Sequence, residues 1–211
     1  MADFIVVDIA GETVHLLADR ALFWPRERAL LIADLHLGKA DTFRSAGIAL
    51  PSGGTRYDLR RLSAMLETTS ATRLIVLGDL LHSSAIERSW RDAWEPWQSS
   101  HADLNIDVVA GNHDRALHAL DLDISIHDGE IELAPFALRH APKPTRLAHI
   151  VCGHLHPVVR MPGIARRWPV FVMNEGLTIL PAFSAFTGGF DISATNGRLA
   201  VCNGKNIALW G

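Results

Sequence analysis

Side chains that bind divalent metal ions occur in five short clusters of this sequence. The clusters are Asp34-Leu35-His36, Gly78-Asp79-Leu80-Leu81-His82, Gly111-Asn112-His113-Asp114, Arg139-His140 and Gly153-His154-Leu155-His156. Carboxylate, amide and imidazole groups in this mixture suit Mn²⁺, Fe²⁺ or Zn²⁺. Two such ions, roughly 3.5 to 4 Å apart, can turn water into a nucleophile and neutralise a phosphate. The clusters therefore predict a two-metal hydrolase.

The first two clusters predict a ligand pair and a bridge. Asp79 follows Gly78 at the tip of an apolar run, where the backbone can approach the ions closely. A carboxylate bridges two cations well, and we therefore expect Asp79 to be the shared ligand. Asp34 and His36 can both turn toward one ion once the backbone bends out of the sheet.

The last cluster and Asn112 predict ligands for both ions. Two imidazoles that flank a single leucine, as in His154 and His156, are rare by chance, and their alternation suggests one imidazole for each ion. Asn112 offers a neutral carbonyl oxygen, which adds no negative charge beside a phosphate. We expect Asn112 to bind the second ion.

The residues next to Asn112 predict a proton donor. On an extended backbone His113 points differently from Asn112, so it can face the substrate while Asp114 holds its other ring nitrogen and keeps the ring cationic. This dyad is our candidate for protonating the leaving group. His82 is grouped with it, and three roles stay open: contact with phosphate, bracing of the site, or binding of metal.

Apolar runs of strand length precede three of the clusters. Residues 29–33, 74–77 and 106–110 read as buried strands, and helical patterns at 55–66 and 84–97 separate them. This alternation predicts parallel strands whose carboxyl ends share one edge. Residues 23–25 read as a loop.

Short strand patterns dominate the second half of the chain. They cover residues 124–126, 131–133, 136–140, 148–152, 170–173 and 199–202. The predicted fold class is α/β: a two-sheet β-sandwich flanked by helices, with the dimetal site at strand carboxyl ends. We expect one domain over residues 1–211, because no linker is evident.

Composition limits the classes of protein to which this chain can belong. The chain of 211 residues is 48% apolar, and no stretch reaches the length of a membrane span. Its start lacks the order of a secretory signal, so we expect a cytoplasmic protein that does not associate with membranes. Cys152 and Cys202 are expected to be reduced and buried. The net charge of −3 argues against a broad basic surface, and oligomeric state is left open.

The five clusters, in this order, resemble the signature of the calcineurin-like metallophosphoesterase superfamily. That signature runs Asp-x-His, Gly-Asp-x-x-(His/Asp), Gly-Asn-His-(Asp/Glu), His and Gly-His-x-His. The resemblance implies one metal held by Asp34, His36, Asp79 and His156, and a second held by Asp79, Asn112, His140 and His154.

A narrower likeness extends over nearly the whole chain. Residues 33–39, Thr42-Phe43-Arg44, Gly47-Ile48 and residues 183–189 are similar to the bacterial DNA-ligase-associated metallophosphoesterase (PdeM) family. This resemblance implies Mn²⁺-dependent phosphodiesterase or nuclease action on DNA. It also implies association with a repair ligase, a helicase and a second nuclease.

Several cationic and aromatic residues have both a functional and a structural interpretation. Lys39 and Arg44 follow the first metal loop and are candidates for contact with substrate phosphate, although such residues often lie on a solvated face. Arg56, Arg60 and Arg61 are expected to face solvent, with a nucleic-acid track as the alternative. For the six tryptophans, core packing is favoured over base stacking.

The sequence thus predicts a phosphodiesterase that cleaves DNA by in-line attack of a metal-bridging hydroxide, in DNA repair. The alternative is a small-molecule phosphoesterase that acts on a nucleotide, a phosphomonoester or a lipid-linked pyrophosphate, which the acidic net charge favours. A third hypothesis is a metal-bound scaffold that docks a ligase or helicase.

Overall fold

The computed structural model describes residues 3–49, 52–82, 90–143, 147–161, 163–192 and 197–210. Two β-sheets pack face to face, and helices cover the outer face of the first sheet. The predicted two-sheet sandwich with flanking helices is confirmed. Within the described residues, no helix combines the length and the apolar character needed to cross a bilayer.

The first sheet has seven strands that follow one another in chain order. They are β1 (Phe4–Ile9), β2 (Glu12–Leu17), β3 (Ala21–Trp24), β4 (Ala29–Ile32), β5 (Arg73–Leu77), β6 (Asn105–Val109) and β7 (Ser125–His127). Strands β1 to β4 form an antiparallel meander, and β4 to β7 are parallel. The predicted parallel order is confirmed, because the connections through helices return each strand in the same direction.

Among the described residues, three helices connect strands of this sheet, and a 3₁₀ turn spans Leu117–Ala119. The helices are α1 (Lys39–Ser45), α2 (Gly54–Thr69) and α3 (Arg91–Ser99). Buried leucines of α2 and the tryptophans of α3 pack on apolar residues of β4, β5 and β6. Trp90, Trp94 and Trp97 are buried, which confirms their predicted core role. Part of the predicted helix at 84–97 lies outside the described residues, because residues 83–89 are not described.

The second sheet has nine strands of mixed direction. They are β8 (Glu130–Leu133), β9 (Phe136–Arg139), β10 (His149–Cys152), β11 (Pro157–Arg160), β12 (Arg167–Asn174), β13 (Leu177–Ile179), β14 (Phe190–Asp191), β15 (Arg198–Cys202) and β16 (Ile207–Trp210). Their order is β14-β11-β12-β13-β10-β9-β8, and β15 pairs with β12 and β16. β9, β10 and β13 run parallel, so the loops after β9 and β10 leave at one edge.

The main core lies between the two sheets. Leu31, Ile75 and Leu77 of the first sheet meet Val151 and Phe171 of the second, and all five are fully buried. A further apolar cluster covers the other face of the second sheet and contains no residue of the three helices. Cys152 and Cys202 are free and buried, as predicted, and burial raises the pKa of each thiol to about 12.

Some local predictions were wrong. Residues 23–24, predicted as loop, belong to β3, whose Trp24 is fully buried and donates its indole N–H to Glu12 at 2.7 Å. The predicted solvent-facing position of Arg61 is also wrong, since its side chain is 10% exposed, whereas Arg56 and Arg60 are exposed as expected. The strands β11, β13, β14 and β16 were missed, because short strands are defined by partners distant in sequence.

Candidate metal centre

The motif loops meet because the strands that precede them end at the same edge. Parallel strands β4, β5 and β6 deliver Asp34, Asp79 and Asn112, while β9 and β10 deliver His140 and His154 from the facing sheet. Backbone bonds fix the first two loops side by side: Asp34 N–H donates to Gly78 O at 3.1 Å, and His36 N–H to Asp79 O at 2.9 Å.

The first ligand cluster consists of Asp34, His36 and His156. Each offers an atom within 4.8 Å of the others. The His156 Nε2 atom lies 3.4 Å from Asp34 Oδ1, and the His36 and His156 ring centroids are 5.3 Å apart. Asp34 and His36 are buried and His156 is half-buried. We call this set the buried cluster.

The second ligand cluster consists of Asp79, His140 and His154, with Asn112 beside it. His140 Nε2 lies 3.0 Å from Asn112 Oδ1, 2.9 Å from His154 Nδ1 and 3.7 Å from Asp79 Oδ2. Asn112 and His154 are exposed. We call this set the open cluster. His154 and His156 fall in different clusters, which matches one imidazole for each ion.

Asp79 belongs to the open cluster, and its expected bridging role stays a prediction. Its Oδ1 accepts the backbone N–H of His113 at 2.9 Å. In the buried cluster the equivalent bond runs from the His154 backbone N–H to Asp34 Oδ2, also 2.9 Å long. Each carboxylate therefore keeps one oxygen that is not used by these backbone bonds.

Backbone strain is concentrated at the candidate ligands. Among the described residues nine non-glycine residues have a positive φ, and five of them are candidate ligands, namely Asp34, His36, Asp79, His154 and His156. Left-handed conformations cost free energy in residues that carry a Cβ, and they persist where the surrounding structure holds them. The bends turn these side chains away from the strand direction toward a common point.

Two motif glycines leave room for the ligands to converge. A Cβ at Gly78 would lie 1.9 Å from His140 Nδ1, and one at Gly111 would lie 2.2 Å from Asp79 Oδ1. Any larger residue at either position would collide with a candidate ligand. The glycines in these motifs are thus required by close approach as much as by turn geometry.

The donor set of the buried cluster fits a divalent ion. Asp34 Oδ1, both ring nitrogens of His36 and His156 Nε2 are buried without a hydrogen-bond partner. Buried polar atoms normally have partners, because an unsatisfied one costs its full desolvation penalty. Lone pairs on a carboxylate and neutral imidazoles that face one another are what a divalent cation coordinates.

Electrostatics keep the His36 ring in the form that binds metal. Burial is the main cause that lowers the pKa of His36, to about 2, and the nearby Lys39, His156, His82 and His113 lower it further. A ring with this pKa is neutral at physiological pH. The neutral imidazole has the lone pair that coordination needs.

The predicted pairing of Asp114 with the His113 ring is wrong. The Asp114 carboxylate is buried and accepts three backbone N–H groups: Leu80 at 3.2 Å, Leu81 at 2.9 Å and Gly111 at 2.9 Å. Burial raises the pKa of Asp114 while these N–H groups lower it. Asp114 therefore links the loop after β5 to the loop after β6. Its carboxylate oxygens accept backbone N–H groups of both loops, which are not bonded to a neighbouring strand.

His113 and His82 lie together beside the buried cluster. Their rings stack with centroids 5.6 Å apart and planes inclined by 20°, and each ring is also 5.5 Å from that of His36. His113 is exposed and His82 is half-buried. The structure thus brings both residues to the candidate site, and their catalytic roles stay predictions.

The two candidate phosphate ligands have different surroundings. Lys39, at the start of α1, donates from Nζ to Thr187 Oγ1 at 3.1 Å, and burial lowers its pKa while Asp34 and Asp79 raise it. Arg44, in the last turn of α1, forms an ion pair with Asp41. Lys39 is therefore within electrostatic reach of both clusters, whereas Arg44 has a carboxylate partner of its own.

A segment that sequence reasoning left without a role crosses the edge of the site. Phe183 N–H donates to Ala33 O at 2.7 Å, and Phe190 N–H donates to His156 O at 3.0 Å. The segment between them therefore touches the loops of two buried-cluster ligands. The only signal for it was the family likeness of residues 183–189, because contacts across about 150 residues leave no local pattern.

The chain matches one family model and is similar to several solved structures. Residues 27–154 match the model for calcineurin-like phosphoesterases. The structure of Pseudomonas putida nuclease MPE is similar over 98% of this chain and 100% of that chain, with 37% sequence identity and a TM-score of 0.86. No curated protein matches the chain.

Two further structures are more distant. The Escherichia coli phosphoesterase Yfce has 16% identity and a TM-score of 0.49, with 86% of this chain and 97% of that chain covered. A protein of unknown function from Aquifex aeolicus has 19% identity and a TM-score of 0.43, with coverage of 61% and 78%. At this distance neither bears on the reaction of this chain.

Proposed function

This chain belongs to the calcineurin-like phosphoesterase family, and we propose that it is a nuclease that hydrolyses phosphodiester bonds in DNA. Family membership makes it a phosphoester hydrolase with a dimetal site. The observation that carries the proposal is the position of two ligand clusters side by side at one sheet edge, of which the second opens to solvent. An open cluster suits a phosphate within a long polymer.

The residues of the two clusters would hold the ions. When bound, two divalent ions supply a nucleophile at neutral pH and neutralise the charge on the phosphate. Asp34, His36 and His156 would hold one ion, and the other would be held by Asp79, Asn112, His140 and His154. Mn²⁺ is our proposed metal, because the resemblance to the DNA-ligase-associated family implies it. The mixture of oxygen and nitrogen ligands also suits the alternatives, Fe²⁺ and Zn²⁺.

His113 is our candidate for the residue that protonates the leaving oxygen. Its backbone N–H is bonded to Asp79 Oδ1, and its exposed ring stacks on the ring of His82 rather than pairing with Asp114. A general acid must reach the leaving group, and an exposed imidazole at the rim of the site can do so. His82 then orients His113 by stacking, in place of the predicted carboxylate.

Lys39 is the stronger of the two proposed phosphate ligands. Its ammonium group donates to Thr187, and the charges of Asp34 and Asp79 are close enough to raise its pKa. An ammonium group at this position would contact a non-bridging phosphate oxygen. Arg44 would first have to leave Asp41, so we assign it the weaker contact.

An exposed aromatic ring lies beside the buried cluster and favours a single-stranded substrate. Phe190 is 67% exposed, and its backbone is bonded to His156. Arg167 donates to Gly189 O at 3.3 Å, and Arg160 pairs with Asp191 at 3.1 Å, so guanidinium groups contact the residues on either side of Phe190. Aromatic rings with nearby cations bind unpaired bases and their phosphates. Four of the six tryptophans, Trp24, Trp90, Trp94 and Trp97, are buried and cannot serve this purpose.

The likeness to a nuclease over nearly the whole chain supports a nucleic acid as the substrate class. On the resemblance of residues 33–39 and 183–189 to the DNA-ligase-associated (PdeM) family, we propose DNA as the substrate, membership of that family and a role in DNA repair. The proposed partners are a DNA ligase, a helicase and a second nuclease. Co-purification of these proteins with the tagged chain would test the association.

The central test is hydrolysis by purified, Mn²⁺-loaded protein. We expect cleavage of bis-p-nitrophenyl phosphate and of single-stranded DNA. Asp79→Ala and His113→Ala should each lower turnover by about 10³-fold, since loss of an ion or of the proton donor removes about 4 kcal/mol from transition-state stabilisation. The control is His118→Ala, which removes an exposed histidine paired with Asp128 outside the clusters. Full activity in both site variants would contradict the mechanism.

A second test concerns Phe190. Phe190→Ala should raise the KM for single-stranded DNA about tenfold, because stacking of a base on an aromatic ring is worth about 1–3 kcal/mol. Hydrolysis of bis-p-nitrophenyl phosphate should not change. The matched control is Phe4→Ala, since Phe4 is 40% exposed on β1.

The alternative substrate class is a small phosphoester, such as a nucleotide, a phosphomonoester or a lipid-linked pyrophosphate. The net charge of −3 favours it. DNA binding should weaken steeply with salt, because phosphate contacts release counterions. DNA affinity that is independent of salt, together with faster turnover of a nucleotide than of an oligonucleotide, would favour this alternative.

A further inference from the structure

Four charged side chains outside the metal clusters lie together beneath the segment that crosses the site. They are Asp19, Arg20, Asp58 and Arg61, and we call them the clamp. Arg61 pairs with Asp58 at 2.8 Å and with Asp19 at 3.0 Å, and its side chain is only 10% exposed. Asp58 is 4% exposed. No step of the proposed reaction uses these charges.

The clamp holds the backbone of residues 182–187, which we call the strap. Arg20 donates to Ser184 O at 2.9 Å and to Ala182 O at 3.3 Å. Arg61 donates to Phe183 O at 2.9 Å, and Asp58 accepts the N–H of Ala185 at 3.2 Å. Four consecutive residues of the strap are therefore bonded to charged groups.

The other side of the strap holds the first metal loop. Ala182 forms a bridge with Ala33, and Ser184 N–H donates to Asp34 O at 3.4 Å. Thr187 accepts the ammonium group of Lys39 at 3.1 Å. The strap thus links the clamp to a candidate metal ligand and to the proposed phosphate ligand.

The clamp is poorly explained as a device for stability alone. Arg61 and Asp58 are largely removed from water, and Arg20 Nε is buried without a hydrogen-bond partner. Buried ion pairs often stabilise a fold no better than apolar residues of similar volume. Asp34, in contrast, needs support, because its φ of 55° is strained for a residue with a Cβ.

We propose that the clamp is a positioning device that fixes the strap and thereby holds Asp34 and Lys39 in the geometry for binding a divalent ion and a phosphate. The part concerning Lys39 rests on the proposed function, and the part concerning Asp34 rests on the ligand geometry alone. Arg61 is the central residue, because it contacts both clamp carboxylates and the strap.

The test compares Arg61→Gln with Arg73→Gln. Arg73 is the matched control: it pairs with Asp107 at 2.7 Å between β5 and β6, is 26% exposed, and bonds to no strap residue. Mn²⁺ binding is measured by calorimetry and by electron paramagnetic resonance on the full chain, at a temperature where each variant is folded. Thermal unfolding and the kinetics of bis-p-nitrophenyl phosphate hydrolysis are measured alongside.

We expect both variants to lower the Tm, but only Arg61→Gln to weaken Mn²⁺ binding, by about 10- to 100-fold, and to change the Mn²⁺ spectrum. Arg61→Lys should restore part of the affinity, because an ammonium group can still pair with Asp58. Thr187→Val should raise KM with little change in Mn²⁺ affinity, since it releases only Lys39.

Wild-type Mn²⁺ affinity in folded Arg61→Gln, or equal weakening in Arg73→Gln, would overturn the proposal. If Arg61→Gln does not fold, Arg20→Gln provides the same comparison, because Arg20 bonds to the strap through Ala182 and Ser184. Mn²⁺ binding is read without substrate. A chain that binds Mn²⁺ through an intact clamp but does not cut DNA would contradict the proposed function and leave this inference standing.

Discussion

The buried cluster and the open cluster use similar side chains in different environments. In the buried cluster, Asp34 Oδ1 and the ring nitrogens of His36 are enclosed and have no hydrogen-bond partner. In the open cluster, His140 is bonded to Asn112 and to His154, and His154 is exposed. The open cluster can satisfy its polar atoms without an ion, whereas the buried cluster cannot.

This difference implies that an ion in the buried cluster and an ion in the open cluster would have unequal roles. Binding an ion in the buried cluster recovers interactions that folding has removed, so that ion contributes to the fold as well as to chemistry. Binding in the open cluster must first break bonds between its own ligands. An ion in the open cluster is therefore suited to exchange with solvent and to contact with the substrate. An ion in the buried cluster should stay bound.

The largest expected effect separates the two clusters by activity. His36→Ala should lower kcat/KM for bis-p-nitrophenyl phosphate about 10³-fold, about 4 kcal/mol, and excess Mn²⁺ should not restore it. His154→Ala should lose about 10²-fold and recover partly in excess Mn²⁺, because an exposed ligand can be replaced by water. Steady-state kinetics over a range of Mn²⁺ concentration measure both. Equal recovery in the two variants would show that the clusters are equivalent.

A smaller effect concerns the support of the open cluster. Asp114→Ala should lower the free energy of unfolding by about 2–3 kcal/mol, because it leaves three backbone N–H groups near the site without an acceptor. Asp114→Asn keeps one acceptor oxygen and should lose less. Urea unfolding of the metal-free proteins measures this. A variant that lost activity without losing stability would instead restore the expected His113–Asp114 dyad.

The smallest effect is the difference in metal affinity. Metal-free protein titrated with Mn²⁺ in a calorimeter should show two binding steps whose Kd values differ at least tenfold, which is about 1.4 kcal/mol. His36→Ala should remove the tighter step and His154→Ala the weaker one. A single step with two equal sites, or the opposite assignment, would contradict the inference from burial.

Sequence reasoning predicted the parts of the site that depend on local pattern. Apolar runs that end in Asp34, Asp79 and Asn112 indicated strands, and the parallel order indicated that their ends share an edge. The alternation of His154 and His156 predicted that they serve different ions, and the two residues lie in different clusters. In each case the relevant information lies within a few residues, because the local periodicity indicates the type of element and the direction of its side chains.

The rest depends on contacts between distant residues. The pairing of Asp114 with His113 followed from adjacency, but its carboxylate is taken by loops that present unpaired N–H groups. Arg61 looked like a surface charge on α2, because nothing near it in sequence shows that a strap more than 120 residues away covers it. Periodicity predicts the face of a helix, and it does not show what packs on that face.

The strap also affects how the protein is made. A nascent chain that has reached β7 already contains every strand of the first sheet, together with Asp34 and Asp79. It still lacks the imidazoles of the second sheet and residues 182–187, which must close a loop of about 150 residues onto Asp34. Ribosome-bound intermediates that lack these residues would therefore bind Mn²⁺ weakly, and hydrolytic competence would arise only after residues 182–187 have been synthesised.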